Sequence, residues 1–426
     1  MKTPTPYITL LTGAGLGLVL LIASTQAERT NAAATGSPSP APAATAEPSG
    51  SASGRGTAAL KPVGPLPAIP GCDSGIASAP DLSKVEHATT AIGGRPFSVA
   101  VTSDGKWSFV TTGHALAVLS NGSGLAPTLA HSLAMTGANK GVAVTSDGKY
   151  VVLAAGSGAN VLSAADAEHG TAHLIGSLRS KGGAGAVNVV LSPDDQFAYV
   201  TLQDSSGVAV FNLRHALSSG FDAGSLVGTV NAGPQPVGIR VSADRGHKWL
   251  FVTNWGQQGS VSVLSRHLAE TDPGNALLTK SPAPAGCDPS RIVPSADGRW
   301  VFVTAQSSNA LLGYDATKLR TDPAHALVTV VPVGENPIGM QYIDSGRELV
   351  VANSGSSHNL MVIDTHAALC RAGHVVTGSI TAGKGPRDFG LAHGASTLFV
   401  TNLGAGLLEA IRLDSIPAAT PATSCS

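Results

Sequence analysis

The side chains able to do chemistry in this chain are numerous but poorly spaced for catalysis. None of the thirteen histidines stands in a His-x-His or His-Glu-x-x-His pattern, the spacings that would hold a zinc ion. Serine is abundant, yet no Gly-x-Ser-x-Gly elbow lifts one out as a nucleophile, and no cysteine lies beside a histidine in a nucleophile context. Gly182-Gly183-Ala184-Gly185 precedes no helical pattern and is a turn rather than a phosphate cradle. Asp204, Asp288 and Asp388 are the evident carboxylates for acid–base work, and they lie far apart along the chain. What recurs instead is a set of cations, amides and a tryptophan in short polar turns. Such groups bind ligands rather than cleave them, so a non-enzymatic role is expected, with no cofactor and no metal.

Composition narrows the partners. Only 12% of residues are charged and the formal net charge is -1, so there is no basic stripe for nucleic acid. Aromatics make up 4%, too few for a stacking platform. With 51 glycines, 27 prolines and many short valine-rich runs, an all-β chain rich in turns is expected.

The runs are copies of one sentence. A Gly/Pro turn, a short strand, a tight turn, a second strand, a polar loop and a third strand repeat seven times. Val110, Leu153, Val200, Val252, Val303, Val351 and Val400 mark the centre of the second strand, 43 to 52 residues apart. That period suits four-stranded propeller blades. Gly93/Pro96, Gly233/Pro236, Gly286/Pro289, Gly334/Pro337 and Gly383/Pro386 open five of the units, while Asn139 and Ala186 replace the proline in the other two. Asp104-Gly105 and Asp147-Gly148 supply hairpin turns, glycine accepting the positive φ. Strands this short, with small residues on both faces, are marginal alone and need neighbours to cover their edges. The expected fold is a seven-bladed β-propeller of four-stranded antiparallel blades. The seventh unit has no fourth strand of its own. Residues 84–92, ahead of the first Gly-x-x-Pro, are expected to complete that last blade.

A propeller collects its inter-blade loops and its second-to-third-strand loops on one face, around the mouth of the central channel. The candidate binding residues gathered there are Arg95, His114, Lys140, Asn254, Trp255, Asp288, Arg291, Asn353, His358, Arg387, Asp388 and Asn402. Trp255 stands out, since Asn254-Trp255-Gly256-Gln257-Gln258 is a polar loop with no strand core to fill. A ligand or protein partner is expected on this face, on a monomer.

Phe251-Val252-Thr253-Asn254 and Phe399-Val400-Thr401-Asn402, with the Gly-x-x-Pro and Ser-x-Asp-Gly elements, resemble the Tyr-Val-Thr-Asn signature of the bacterial YVTN propeller repeat family. The resemblance spans roughly residues 84–413. It implies a seven-bladed propeller outside the cytoplasm and assigns no single activity. Seven-bladed relatives with lactonase activity look similar at repeat level, so the rival expectation is a lactonase-like hydrolase in the channel. A structural cell-envelope module is the third.

The termini point to export. Residues 1–27 have a weak positive start, an apolar stretch from Tyr7 to Ala23, and small residues before Glu28, as in a signal peptide or anchor. An uncleaved anchor would be the only membrane contact. Residues 28–70 are an Ala/Pro/Ser/Thr-rich linker that cannot offset its ordering entropy, residues 75–415 the propeller, and 416–426 a tail. Four cysteines in an exported chain suggest disulfides. Cys72 with Cys425 would staple the ring closure, leaving Cys287 with Cys370. Strand directions put the second pair near opposite faces, so Cys370 with a terminal cysteine stays open.

Overall fold

The computed structural model describes residues 65–392 and 396–418. The expected signal peptide, most of the linker, Cys425 and the end of the tail lie outside the described residues.

Seven four-stranded antiparallel blades surround a central channel. Blade 1 consists of Ser98–Val101, Trp107–Thr111, Gly113–Ser120 and the first half of a long strand, Thr128–Val144. The second half of that strand is the inner strand of blade 2, which continues with Tyr150–Ala155, Gly158–Ser163 and Leu174–Arg179. The inner strands of blades 3 to 7 are Ala186–Leu191, Pro236–Val241, Pro289–Pro294, Pro337–Ile343 and Pro386–Leu391. Each touches the next, and the last returns to Ser98–Val101, so the ring is closed.

Closure is as the repeat predicts. His87–Ala91 pairs with Leu407–Arg412 from His87 opposite Ile411 to Ala91 opposite Leu407, supplying the fourth strand of blade 7. Arg412 donates to the Glu86 carboxylate at 2.7 Å and His87 meets buried Glu409 at 2.8 Å, so polar contacts flank the latch.

The cores lie between blades, each a stack of valine, leucine, alanine and an occasional aromatic from two neighbouring sheets. The Val-Thr-Asn residues of the second strand explain how the blades lock. Valine goes into the inter-blade core, as with Val252 and Val400. Threonine acts as a rivet. Its inner-strand partner slips register, as between Pro236 and Ile239, and the Thr253 hydroxyl accepts the freed Gly238 N–H at 2.9 Å. The same hydroxyl donates to the Ser290 carbonyl of blade 5 at 3.2 Å. Thr304 repeats this between Arg291 N–H and the Ile338 carbonyl, and Thr201 between Asn188 N–H and the Val237 carbonyl. The Gly238, Arg291 and Asn188 backbone N–H groups at these bulges are thereby bonded.

Asparagine anchors the inter-blade loop. Asn254, Asn353 and Asn402 are buried beneath Gly233, Gly334 and Gly383, whose missing Cβ atoms would stand 2.8, 2.6 and 2.8 Å from the asparagine side chains. Their amide nitrogens donate within the blade: Asn254 to Ser260 and Ser262, Asn353 to Asn359, and Asn402 to Glu409.

The disulfide expectation is corrected. Cys72 pairs with Cys287, so neither Cys72–Cys425 nor Cys287–Cys370 forms. Cys370 is also disulfide-bonded. The physical reason is the path of residues 65–86. Arg371 donates to the Pro65 carbonyl beside the short helix Thr365–Cys370, and the chain then crosses to the opposite face. There Asp73 N–H bonds the Ser307 carbonyl and Asn309 donates to the Ser74 carbonyl. It then returns along blades 5 and 6 through Ala77 to Val333 and Leu82 to Ser379. Cys72 is thus carried to the loop that opens blade 5 rather than left at the latch. Among the described residues no helix is long and apolar enough to cross a membrane.

Candidate functional site

The second residue after the opening turn position occupies one ring on the inner strands. From blade 1 to blade 7 it is Ser98, Gly141, Asn188, Gly238, Arg291, Gly339 and Asp388. Glycine alternates with polar side chains, and the alternation has a steric cause. A Cβ on Gly141 would lie 2.9 Å from Asn188 Cα, one on Gly238 2.5 Å from the Ser290 carbonyl, and one on Gly339 2.2 Å from the Arg387 carbonyl. The glycines let adjacent inner strands approach and leave the lumen to the larger residues between them.

Three of those residues meet. Arg291 Nε lies 3.7 Å from Asp388 Oδ1, reaching past blade 6, where the ring holds only Gly339. Ser98, on the other side of Asp388, donates to Oδ2 at 2.6 Å. Arg291 and Asp388 are 4% and 8% exposed, so the pair is withdrawn from bulk solvent. Arg240, two residues deeper on the blade 4 strand, feels both Asp388 and Arg291, and burial pushes its guanidinium down from the usual arginine range while Asp388 works against that. Arg387 stacks on the Phe97 ring of blade 1 with its guanidinium carbon 3.9 Å from the centroid. Burial, then repulsion from Arg291, push Arg387 down to about 9, with Asp388 opposing and exposed Arg95 at the rim adding to the shift. Arg387 therefore stays charged at neutral pH.

The cluster holds three guanidiniums against one carboxylate. The Nε atoms of Arg291 and Arg387 are buried and have no hydrogen-bond partner. Buried donors without partners are costly, the more so on charged groups. An anion is the chemistry that would satisfy them.

The structure thus brings together Arg291, Arg387 and Asp388, with Arg95 at the rim, from the expected set. Lys140 is part-exposed on blade 2, and its carbonyl receives the Thr111 hydroxyl. Asn254, Asn353 and Asn402 lie inside their blades, as described above. Asp288 accepts from the Ser307 hydroxyl at 2.6 Å and closes its own loop. His358, at φ 42, takes the Gly385 N–H at 3.5 Å. His114 is exposed at the start of the third strand of blade 1. Trp255 is part-exposed, its backbone N–H bonded to the Gln235 carbonyl across the mouth loops of blade 4. Arg240 is the member that loop-based reading misses. Its signal is a charge inside an apolar strand, Val237-Gly238-Ile239-Arg240-Val241. Among the described residues no group of three His, Cys, Asp or Glu side chains is placed to hold a metal ion.

Comparison with known proteins agrees with the architecture. A family model described as Lactonase, 7-bladed beta-propeller matches residues 141–318, under half of the chain. Among solved structures, the chain resembles Kuenenia stuttgartiensis hydrazine synthase at 15% identity and TM-score 0.58, covering 77% of this chain and 97% of that one. It also resembles a chain of a mitotic checkpoint complex at 11% identity and TM-score 0.61, covering 83% and 99%. At these identities the likeness is one of fold. No curated protein matches the chain. The class defined is a seven-bladed β-propeller with a lactonase-like blade region.

Proposed function

We propose that this propeller is an extracytoplasmic binding protein that takes a small anion into the mouth of its central channel. One observation carries the reading: Arg291 stands 3.7 Å from the Asp388 carboxylate, Arg240 and Arg387 lie within its electrostatic reach, and the Nε donors of Arg291 and Arg387 are unsatisfied. Guanidinium forks match carboxylate and phosphate oxygens in pairs, and a withdrawn site makes each contact stronger than in water. Arg95 and Lys140 at the rim would steer anions inward. Action outside the cytoplasm is supported by the Cys72–Cys287 disulfide and by the second bonded cysteine, Cys370.

The test is calorimetric titration of the purified protein with malonate, a small dicarboxylate. Arg240→Gln and Arg387→Gln should each weaken binding about tenfold or more. Affinity unchanged in both would remove the channel as the site.

A second reading, lactone hydrolysis, is favoured by the family match over residues 141–318. There Asp388 would draw a proton from water and the guanidiniums would stabilise the oxyanion. Turnover of simple lactones that disappears in Asp388→Asn would favour it over plain binding.

A further inference from the structure

We infer that Asp388 sets the charge of the ligand, so that the channel selects a small dianion over a monoanion. The inference rests on the channel-binding reading above and goes beyond it by naming the residue that fixes the charge class.

Its basis is the fixed position of the Asp388 carboxylate. Ser98 holds Oδ2 at 2.6 Å, the Asp388 backbone N–H is bonded to Thr401 Oγ1 at 3.0 Å, and Arg291 lies 3.7 Å from Oδ1. The residue is buried, so it cannot swing out into solvent to make way for a ligand. It acts as a resident anion that already answers one of three guanidiniums. Two positive charges remain uncompensated in a confined space, with the Nε donors of Arg291 and Arg387 still open. Arg95 is exposed, so water and salt screen its charge more than those of part-buried Arg240 and Arg387 and of buried Arg291.

A monoanion entering this site leaves one buried positive charge unanswered. A dianion answers both. A trianion leaves an excess negative charge facing the Asp388 carboxylate, and like charges confined together repel. The 3.7 Å separation between Arg291 Nε and Asp388 Oδ1 is an ion pair without a hydrogen bond, which leaves the Nε–H free to turn to an incoming oxygen. A dicarboxylate and a phosphate monoester carry the same charge, and both belong to the class.

The experiment measures affinity of the whole chain for acetate, malonate and citrate, with methyl phosphate as a second dianion, at a pH where each is fully ionised. The wild type should bind malonate or methyl phosphate at least tenfold tighter than acetate and tighter than citrate; which of the two dianions binds separates carboxylate from phosphoryl recognition. Asp388→Asn should bind acetate about tenfold more tightly than the wild type and shift its preference to citrate. Asp388→Glu, which keeps the charge, should retain the dianion preference. An unchanged order in Asp388→Asn overturns the inference. Should that variant not fold, a wild type that binds acetate as well as malonate overturns it equally. A wild type that binds none of the four anions overturns the channel reading itself.

Discussion

The Thr304 hydroxyl receives the Arg291 N–H of its own blade at 3.1 Å and donates to the Ile338 carbonyl of the next at 2.7 Å. One side chain therefore closes a bulge, joins blades 5 and 6, and fixes the backbone that carries a channel arginine. Replacing it with isosteric valine would keep the packing and orphan a buried N–H and a carbonyl. Thr304→Val should lower stability by about 1–3 kcal/mol in denaturant titration, with Thr304→Ser recovering most of it.

Gly339 is the tightest of the ring glycines. With a Cβ 2.2 Å from the Arg387 carbonyl, Gly339→Ala must push the inner strands of blades 6 and 7 apart. Stability should fall by about 1–3 kcal/mol, and malonate affinity should fall with it because Arg387 moves. Gly93 has open space around its Cβ position and serves as a control; Gly93→Asn should leave affinity unchanged.

Seven blades and the latch can be read from sequence because both depend on periodic strands. The repeat fixes the number of sheets, and the missing fourth strand of the last unit demands a donor that only the segment before Gly93 can supply. Arg291, Arg387 and Asp388 are legible because they directly follow a recognisable turn. Arg240 shows only as a charge inside an apolar strand, and nothing local says that this edge faces a lumen. The asparagines mislead for a related reason: their loops lie at the mouth, but the facing glycine lets the side chain fold inward. The path of residues 65–86 has no periodicity at all, and the position of Cys72 follows from tertiary contacts alone.

The charge of Arg387 gives the site a pH limit. Its guanidinium is held down at about 9, and a bound anion favours the protonated form. Affinity should be full below that value and weaken as pH rises through it. Stability runs the other way for this group. The unfolded chain keeps the proton up to the ordinary arginine range, so the folded form gains relative stability from about 9 upward. Malonate titrations across alkaline pH check the first trend, and Arg387→Gln should lack that inflection.

Breaking Cys72–Cys287 releases a loop closed over a sequence separation of 215 residues. The chain-entropy model gives a loss of about 5 kcal/mol for a loop of this length. A Cys72→Ser/Cys287→Ser variant should unfold at markedly lower denaturant concentration than the wild type under non-reducing conditions.

Removing residues 1–91 deletes the outer strand of blade 7 and leaves Leu407–Arg412 as a bare edge. Such a chain should associate or precipitate, whereas one beginning at Pro65 should stay monomeric by light scattering.

The latch also sets a clock. His87 meets Ile411 across 324 residues, so the first strand to emerge finds its partner only when nearly the whole chain has followed. At typical synthesis rates of about 5–20 residues per second that interval is roughly 16–65 s. Throughout it, the opening strand has no sheet to join, and whatever handles the nascent chain must keep it from pairing with another copy.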